Sequence, residues 1–144
     1  MREILFRGKT FKKKDNQAFN NVWVEGDLIK NKNKYYIHPH ANVFKVENEL
    51  AKLMVCHEVI PKTVGAYTGL TDKNGTKIFD GDIVKWDEKT WGCPYNELVT
   101  FDYYELLAVR KNDYKHYVEV IGNIHDNPEL LEVEEWQKNN FLKN

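Results

Sequence analysis

Residues 67–86 read YTGLTDKNGTKIFDGDIVKW, and two chain reversals inside that stretch constrain the fold more than any other feature. The first is Asp72-Lys73-Asn74-Gly75. Asn and Gly tolerate the positive φ that tight hairpin turns demand. The second, Asp80-Gly81, follows only five residues after Gly75. Between them Thr76-Lys77-Ile78-Phe79 reads as a short strand rich in β-formers, and Asp82-Ile83-Val84-Lys85-Trp86 reads as the next. Turns this close leave no room for a helix. The chain must fold back on itself, as at the corner of a small barrel or sandwich. Gly81, Asp82 and Val84 form a G-D-x-V corner of the kind found in small SH3-like barrels. The economical reading of Gly81 and Asp82 is structural, with the glycine supplying backbone geometry and the aspartate capping the turn.

Taken in order, residues 1–7 read as a strand, and residues 8–21, rich in lysine (Lys9, Lys12, Lys13, Lys14), as an exposed loop. Residues 22–30 and 34–37 flank Asn31-Lys32-Asn33 and read as a hairpin. In residues 41–60, Val43, Val46, Leu50, Leu53 and Met54 fall at helical spacing, so a short helix over 44–54 and then a strand are expected. Residues 87–96 read as a loop, and residues 98–110 and 114–124 as a long hairpin around Asn112-Asp113. Asn127-Pro128 reads as a helix start, with Asn as cap and Pro at the first helical position, opening a helix over 128–140. The expected architecture is therefore mainly β: a small SH3-like barrel or sandwich built from hairpins, with two minor helices.

The motif Y-T-G-L-x-D-K-N-G-x-x-I-F-x-G-D-I-V at 67–84 resembles the signature of the YopX family, proteins encoded by phages and prophages of Gram-positive bacteria. Its fixed positions here include Tyr67, Thr68, Gly69, Asp72, Asn74, Gly75, Gly81 and Asp82. Three further segments resemble the family in the same order. They are R-E-I-L-F-R at 2–7, W-V-E-G-D-L-I at 23–29, and E-V-I-G-N-I at 119–124 followed by N-P-E-L-L at 127–131. The resemblance implies a β-rich fold with a small-barrel component and no established activity.

At 144 residues the chain is most simply one domain, residues 1–144. A chain of this length buries about 68–70% of its unfolded surface, enough to hold together without a metal or disulfide. Its two cysteines, Cys56 and Cys93, make no disulfide framework, and reduced thiols in a cytoplasmic protein are expected. No apolar run approaches the ~20 residues of a membrane span, and the apolar core of residues 1–7 is too short for a signal peptide.

The net charge of −1 is unevenly spread. Residues 1–40 carry nine Lys/Arg against four Asp/Glu, whereas residues 86–144 carry six against twelve. Such a basic front and acidic back read most simply as the solvated faces of ordinary strands; the sharper reading is charge-assisted self-association into a homo-oligomer.

Chemistry-bearing patterns are sparse. Asp72-x-Asn74 opens like an EF-hand loop, but the sixth position is Lys77 and the twelfth is Ile83. His38 and His40 share a strand face without a third ligand nearby, and the adjacent Cys56 and His57 would face opposite sides of a strand. No metal, cofactor or catalytic residue is assigned, and no enzyme is expected. Aromatic residues crowd residues 86–104, where Trp86, Trp91, Tyr95, Tyr103 and Tyr104 are the candidate binding residues. The expectation is a non-enzymatic protein–protein interaction module with a host or phage protein as partner. The alternative is nucleic-acid binding through the lysines of residues 9–14 and the same rings, which the near-neutral net charge disfavours.

Overall fold

The computed structural model describes residues 3–14, 19–40, 56–87, 95–100 and 117–131. The chain forms two compact units, Met1–Tyr67 and Thr68–Asn144. Both are built from antiparallel strands.

In the first unit, β1 (Phe6–Lys9), β2 (Trp23–Asn31), β3 (Lys34–Pro39) and β4 (His57–Val59) lie in the order β4-β3-β2-β1, with the start of β5 (Gly65–Thr71) beside β1. The expected hairpin is β2–β3. Asn31 faces Lys34 across a two-residue turn in which Lys32 takes φ +58°. Alternation along β2 turns Val24 and Gly26 inward and Glu25 and Asp27 outward. Val24, Ile37 and Val59 are the buried centre, packed by Phe6, Phe19, Leu28, Tyr35 and Val64.

The opening strand begins later than residues 1–7 suggested, and it runs into the lysine-rich stretch expected as loop. Thr10 is 1% exposed and bridges Val59 of β4. Its hydroxyl donates to the Phe19 carbonyl (2.7 Å) and accepts from the Val22 amide (2.9 Å), while the Ile60 amide donates to the Lys9 carbonyl (2.8 Å). Those bonds overrule the polar composition around Thr10, because a buried hydroxyl is tolerated where both its roles are satisfied. They also draw the ends of the four-stranded array toward each other without closing a barrel. A 3₁₀ turn at Pro61–Thr63 then leads into β5.

In the second unit, β5 continues beside β6 (Lys77–Phe79), and β7 (Asp82–Trp86) is the centre of a three-stranded sheet ordered β8-β7-β9, with β8 at Tyr95–Leu98 and β9 at Val118–Asn123. Both turns of the central stretch are present where the sequence places them. A register shift between Ile83 and Val84 leaves Ile121 as an extra residue in β9. Ile78, Val84, Trp86, Val99 and Val118 form the core, with Leu70, Tyr95, Tyr117 and Val120 against it.

Over the described residues β8 and β9 both pair with β7, and residues 101–116, where the strands of the hairpin expected over 98–110 and 114–124 would meet, lie outside them. Two expectations are corrected here. Tyr95 and Asn96 lie in β8, not in a loop. Residues 129–131 are helical, as expected, but the Asn127 side chain does not cap them. Its Oδ1 accepts from the Asn123 amide behind it (3.3 Å). That contact explains the E-V-I-G-N-I…N-P spacing, because a Cβ on Gly122 would stand 2.5 Å from Asn127 Oδ1. The 44–54 helix and the rest of the 128–140 helix lie outside the described residues.

Candidate functional site

The motif of the central stretch is consumed by the fold. Asp72 is 3% exposed. Its Oδ1 accepts from the amides of Asn74 (2.8 Å) and Thr76 (2.9 Å), which fixes the turn. Its Oδ2 accepts from the Val120 amide (2.9 Å), which ties the turn to β9. The Lys73 amide adds a bond to the Val118 carbonyl (3.0 Å). A short polar side chain that can bond its own downstream amides is what this position requires.

Asp82 repeats the device at the second turn, accepting from the Phe79 amide through Oδ2 (2.7 Å) while 1% exposed. Thr68 donates to the Ile78 carbonyl (2.7 Å), clasping β5 to β6. Gly69, Gly75 and Gly81 take φ of +87°, +82° and +93°, a region closed to most side chains. Tyr67, the last residue of the first unit, is buried, its amide donating to the Leu5 carbonyl (2.8 Å).

The aromatic cluster divides. Trp86 is 2% exposed, sits in the core, and donates its indole N–H to Glu97 Oε2 (2.9 Å). Tyr95 is half-buried with its ring stacked on Trp86 at 6.4 Å between centroids. Trp86 is therefore a packing residue, not an exposed platform. β7 is the central strand of its sheet, and Ile83, Val84 and Trp86 are all buried. Trp91, Tyr103 and Tyr104 lie outside the described residues.

A cleft of about 340 Å³ lies in the first unit, lined by Thr10, Phe11, Lys13, Cys56, His57 and Glu58. It joins two segments more than forty residues apart in sequence, held together by the Thr10–Val59 bridge. The His57 ring stacks on Phe19 with centroids 4.0 Å apart, and its Nε2 is buried without a hydrogen-bond partner. Burial, and then the Lys13 charge, push the His57 imidazole below its ordinary pKa. Burial pushes the Cys56 thiol up.

Both shifts favour the neutral forms. A nucleophilic Cys–His pair needs the opposite, a thiolate beside an imidazolium. The cleft therefore holds Cys56 and His57 with both groups shifted toward neutrality. It opens beside Phe11, which is 41% exposed and belongs to the run Phe11-Lys12-Lys13-Lys14, all exposed.

Val22, also 41% exposed, lies on the facing segment, where the Asn21 amide donates to the Phe11 carbonyl (3.2 Å) and the Thr10 amide to the Val22 carbonyl (2.9 Å). Among the described residues, the large apolar side chains standing in solvent are Ile4, Phe11, Val22 and Ile29, all in the first unit. Sequence reading did not single out these exposed side chains. Phe11 was the available signal, an aromatic residue set among lysines.

Among the described residues no group of three or more His, Cys, Asp or Glu side chains is placed to hold a metal ion, and no helix is long and apolar enough to cross a membrane.

A family model described as YopX protein matches residues 5–132. Among curated proteins none matches the chain.

Proposed function

Because the chain belongs to the YopX family, we propose that it is a phage- or prophage-encoded accessory protein working as a non-enzymatic protein–protein interaction module, with copies of itself as the first partner. The observation that carries this reading is the exposure of Phe11 and Val22 on two segments joined by main-chain hydrogen bonds, with the exposed Lys12, Lys13 and Lys14 following Phe11 along the chain. Exposed apolar side chains near charged ones are the usual composition of a recognition surface.

Charge supplies the complement. The first unit, residues 1–67, carries twelve Lys/Arg against seven Asp/Glu, a net of +5. The second unit, residues 68–144, carries nine against fifteen, a net of −6. The sign changes at the boundary between the units, so the basic unit of one copy and the acidic unit of another attract in solution. The family motif adds support of another kind, since its Asp72, Asp82 and Thr68 are bonded to the main chain.

Sedimentation velocity at about 50 mM and about 500 mM salt tests the reading, because the Debye length falls severalfold across that range. An assembly larger than 17.1 kDa that dissociates at high salt is expected. A monomer at both salts would count against self-association and leave a partner of another sequence as the remaining form of the proposal.

The nucleic-acid reading keeps the exposed lysines 12–14 but loses Trp86 as a stacking ring, because Trp86 is core. Titration with labelled single- and double-stranded DNA at low salt separates the two readings.

A further inference from the structure

The Asn74-Gly75 turn places an exposed side-chain amide next to a main-chain amide with no side chain to shield it. We infer that Asn74 is a site of spontaneous deamidation, and that its conversion loosens the tether between the β5–β6 turn and β9. The chemistry is internal to the chain. The Gly75 amide gives up its proton to a solvent base, and its nitrogen attacks Asn74 Cγ. A new N–Cγ bond forms, the Cγ–Nδ2 bond breaks, and Nδ2 leaves as ammonia with a proton from solvent. Water then opens the cyclic imide at either carbonyl, giving aspartate or isoaspartate. Nothing is oxidised or reduced, and water is the co-reactant.

Two features favour the attack. Asn74 and Gly75 are both exposed, and the space where a Gly75 Cβ would stand has no neighbour within 4 Å. One feature opposes it, the bond from the Gly75 amide to the Asp72 carbonyl (3.0 Å). A single exposed hydrogen bond of this kind retards the reaction by up to roughly tenfold. That is a brake on the reaction and does not block it. The exposed Asn31 and Asn33 precede Lys32 and Lys34, whose side chains crowd the attacking nitrogen.

The consequences follow from what surrounds the turn. Asn74 Nδ2 donates to Glu119 Oε1 (3.4 Å), and Lys73 Nζ lies 3.5 Å from Glu119 Oε2. A carboxylate at position 74 replaces that hydrogen bond with like-charge repulsion, and it competes for Lys73. Isoaspartate goes further. It routes the main chain through the side chain and lengthens it by one methylene, which disturbs the seating of the Asn74 and Thr76 amides on Asp72 Oδ1. Asp72 Oδ2 is the group that holds the Val120 amide of β9. A covalent change at the turn is thereby read out one strand away.

The experiment ages the folded full-length protein in mildly alkaline buffer and follows each asparagine by peptide mass spectrometry, with a urea-unfolded control. Hydrogen exchange at Val120 is measured on the aged sample. Asn74 should convert ahead of Asn31 and Asn33, within about tenfold of its rate in the unfolded control. Val120 exchange should rise in proportion to the isoaspartate formed. Asn74→Gln, which needs a larger ring for the same attack, should age without that rise. Conversion of Asn31 or Asn33 first, folded-state retardation beyond a hundredfold, or conversion of Asn74 with unchanged Val120 exchange would each overturn the inference.

Discussion

Replacing Asp72 with asparagine probes the account at its structural centre. The carboxylate is buried and accepts three main-chain amides, two through Oδ1 and one through Oδ2. Asparagine retains one oxygen, so it can serve either the turn or β9 but not both. With its oxygen toward Asn74 and Thr76, its NH₂ group faces the Val120 N–H, donor against donor. Hydrogen bonds to charged groups contribute about 1.5–3 kcal/mol each, and an orphaned buried donor costs about 1–3 kcal/mol. Asn74 and Thr76 are exposed and can rehydrate, so most of the loss sits at Val120. The expected destabilisation is about 2–3 kcal/mol. With a urea m-value of about 1–3 kcal/mol/M, the midpoint falls by about 1 M or more. Asp80→Asn, at a half-buried position in the neighbouring turn, is the control and should stay within about 0.5 kcal/mol. Urea titration gives the midpoint, and hydrogen exchange at Val120 reports the local opening. A shift for Asp72→Asn no larger than that of the control would refute the tether.

Further expectations concern other contacts. Gly122→Ala drives a Cβ to within 2.5 Å of Asn127 Oδ1 and should cost about 1–3 kcal/mol by overpacking. Adding Asn127→Ala removes the two nearest obstructing atoms, Oδ1 and Cγ, and leaves Cβ at 3.0 Å, so a double-mutant cycle by urea unfolding should show favourable coupling of at least about 0.5 kcal/mol. Gly26→Ala meets the His38 carbonyl, a main-chain atom that cannot swing aside, and should destabilise the first unit at least as much as Gly122→Ala destabilises the second. His57 titrates below its ordinary value when folded. The unfolded state therefore binds the proton more readily, and the contribution of His57 is present above about pH 6.5 and lost as pH falls through the lowered folded value. His57→Phe keeps the ring against Phe19 and removes the partnerless Nε2. Thermal melts across that range should show a flatter acid limb and no loss of stability at neutral pH.

What the sequence disclosed was the local chemistry. Asn74-Gly75 and Asp80-Gly81 announce their turns because few other residues accept the backbone they need. The β2–β3 hairpin shows itself through polar residues between β-formers. What stayed hidden depends on partners far along the chain. Thr10 sits among lysines and reads as solvent-facing, yet Phe19, Val22 and Val59 bury it. Trp86 reads as part of a surface cluster, because no local signal says that β7 is central in its sheet. β8 is obscured by the Gly92-Cys93-Pro94 run just before it. The cleft was not legible at all, since its walls come from residues 10–13 and 56–58. Asp72 and Asp82 were correctly read as turn formers, but the reach of Asp72 to Val120 was not visible.

The most direct test of the interaction reading is the solution mass by light scattering of the wild-type protein beside Phe11→Ser/Val22→Ser at low salt. Each side chain is 41% exposed, so the variant should stay folded with at most a small fall in melting temperature. The account predicts a wild-type mass above 17.1 kDa that collapses to the monomer in the double variant. Equal masses for the two proteins, with the variant folded, would contradict it.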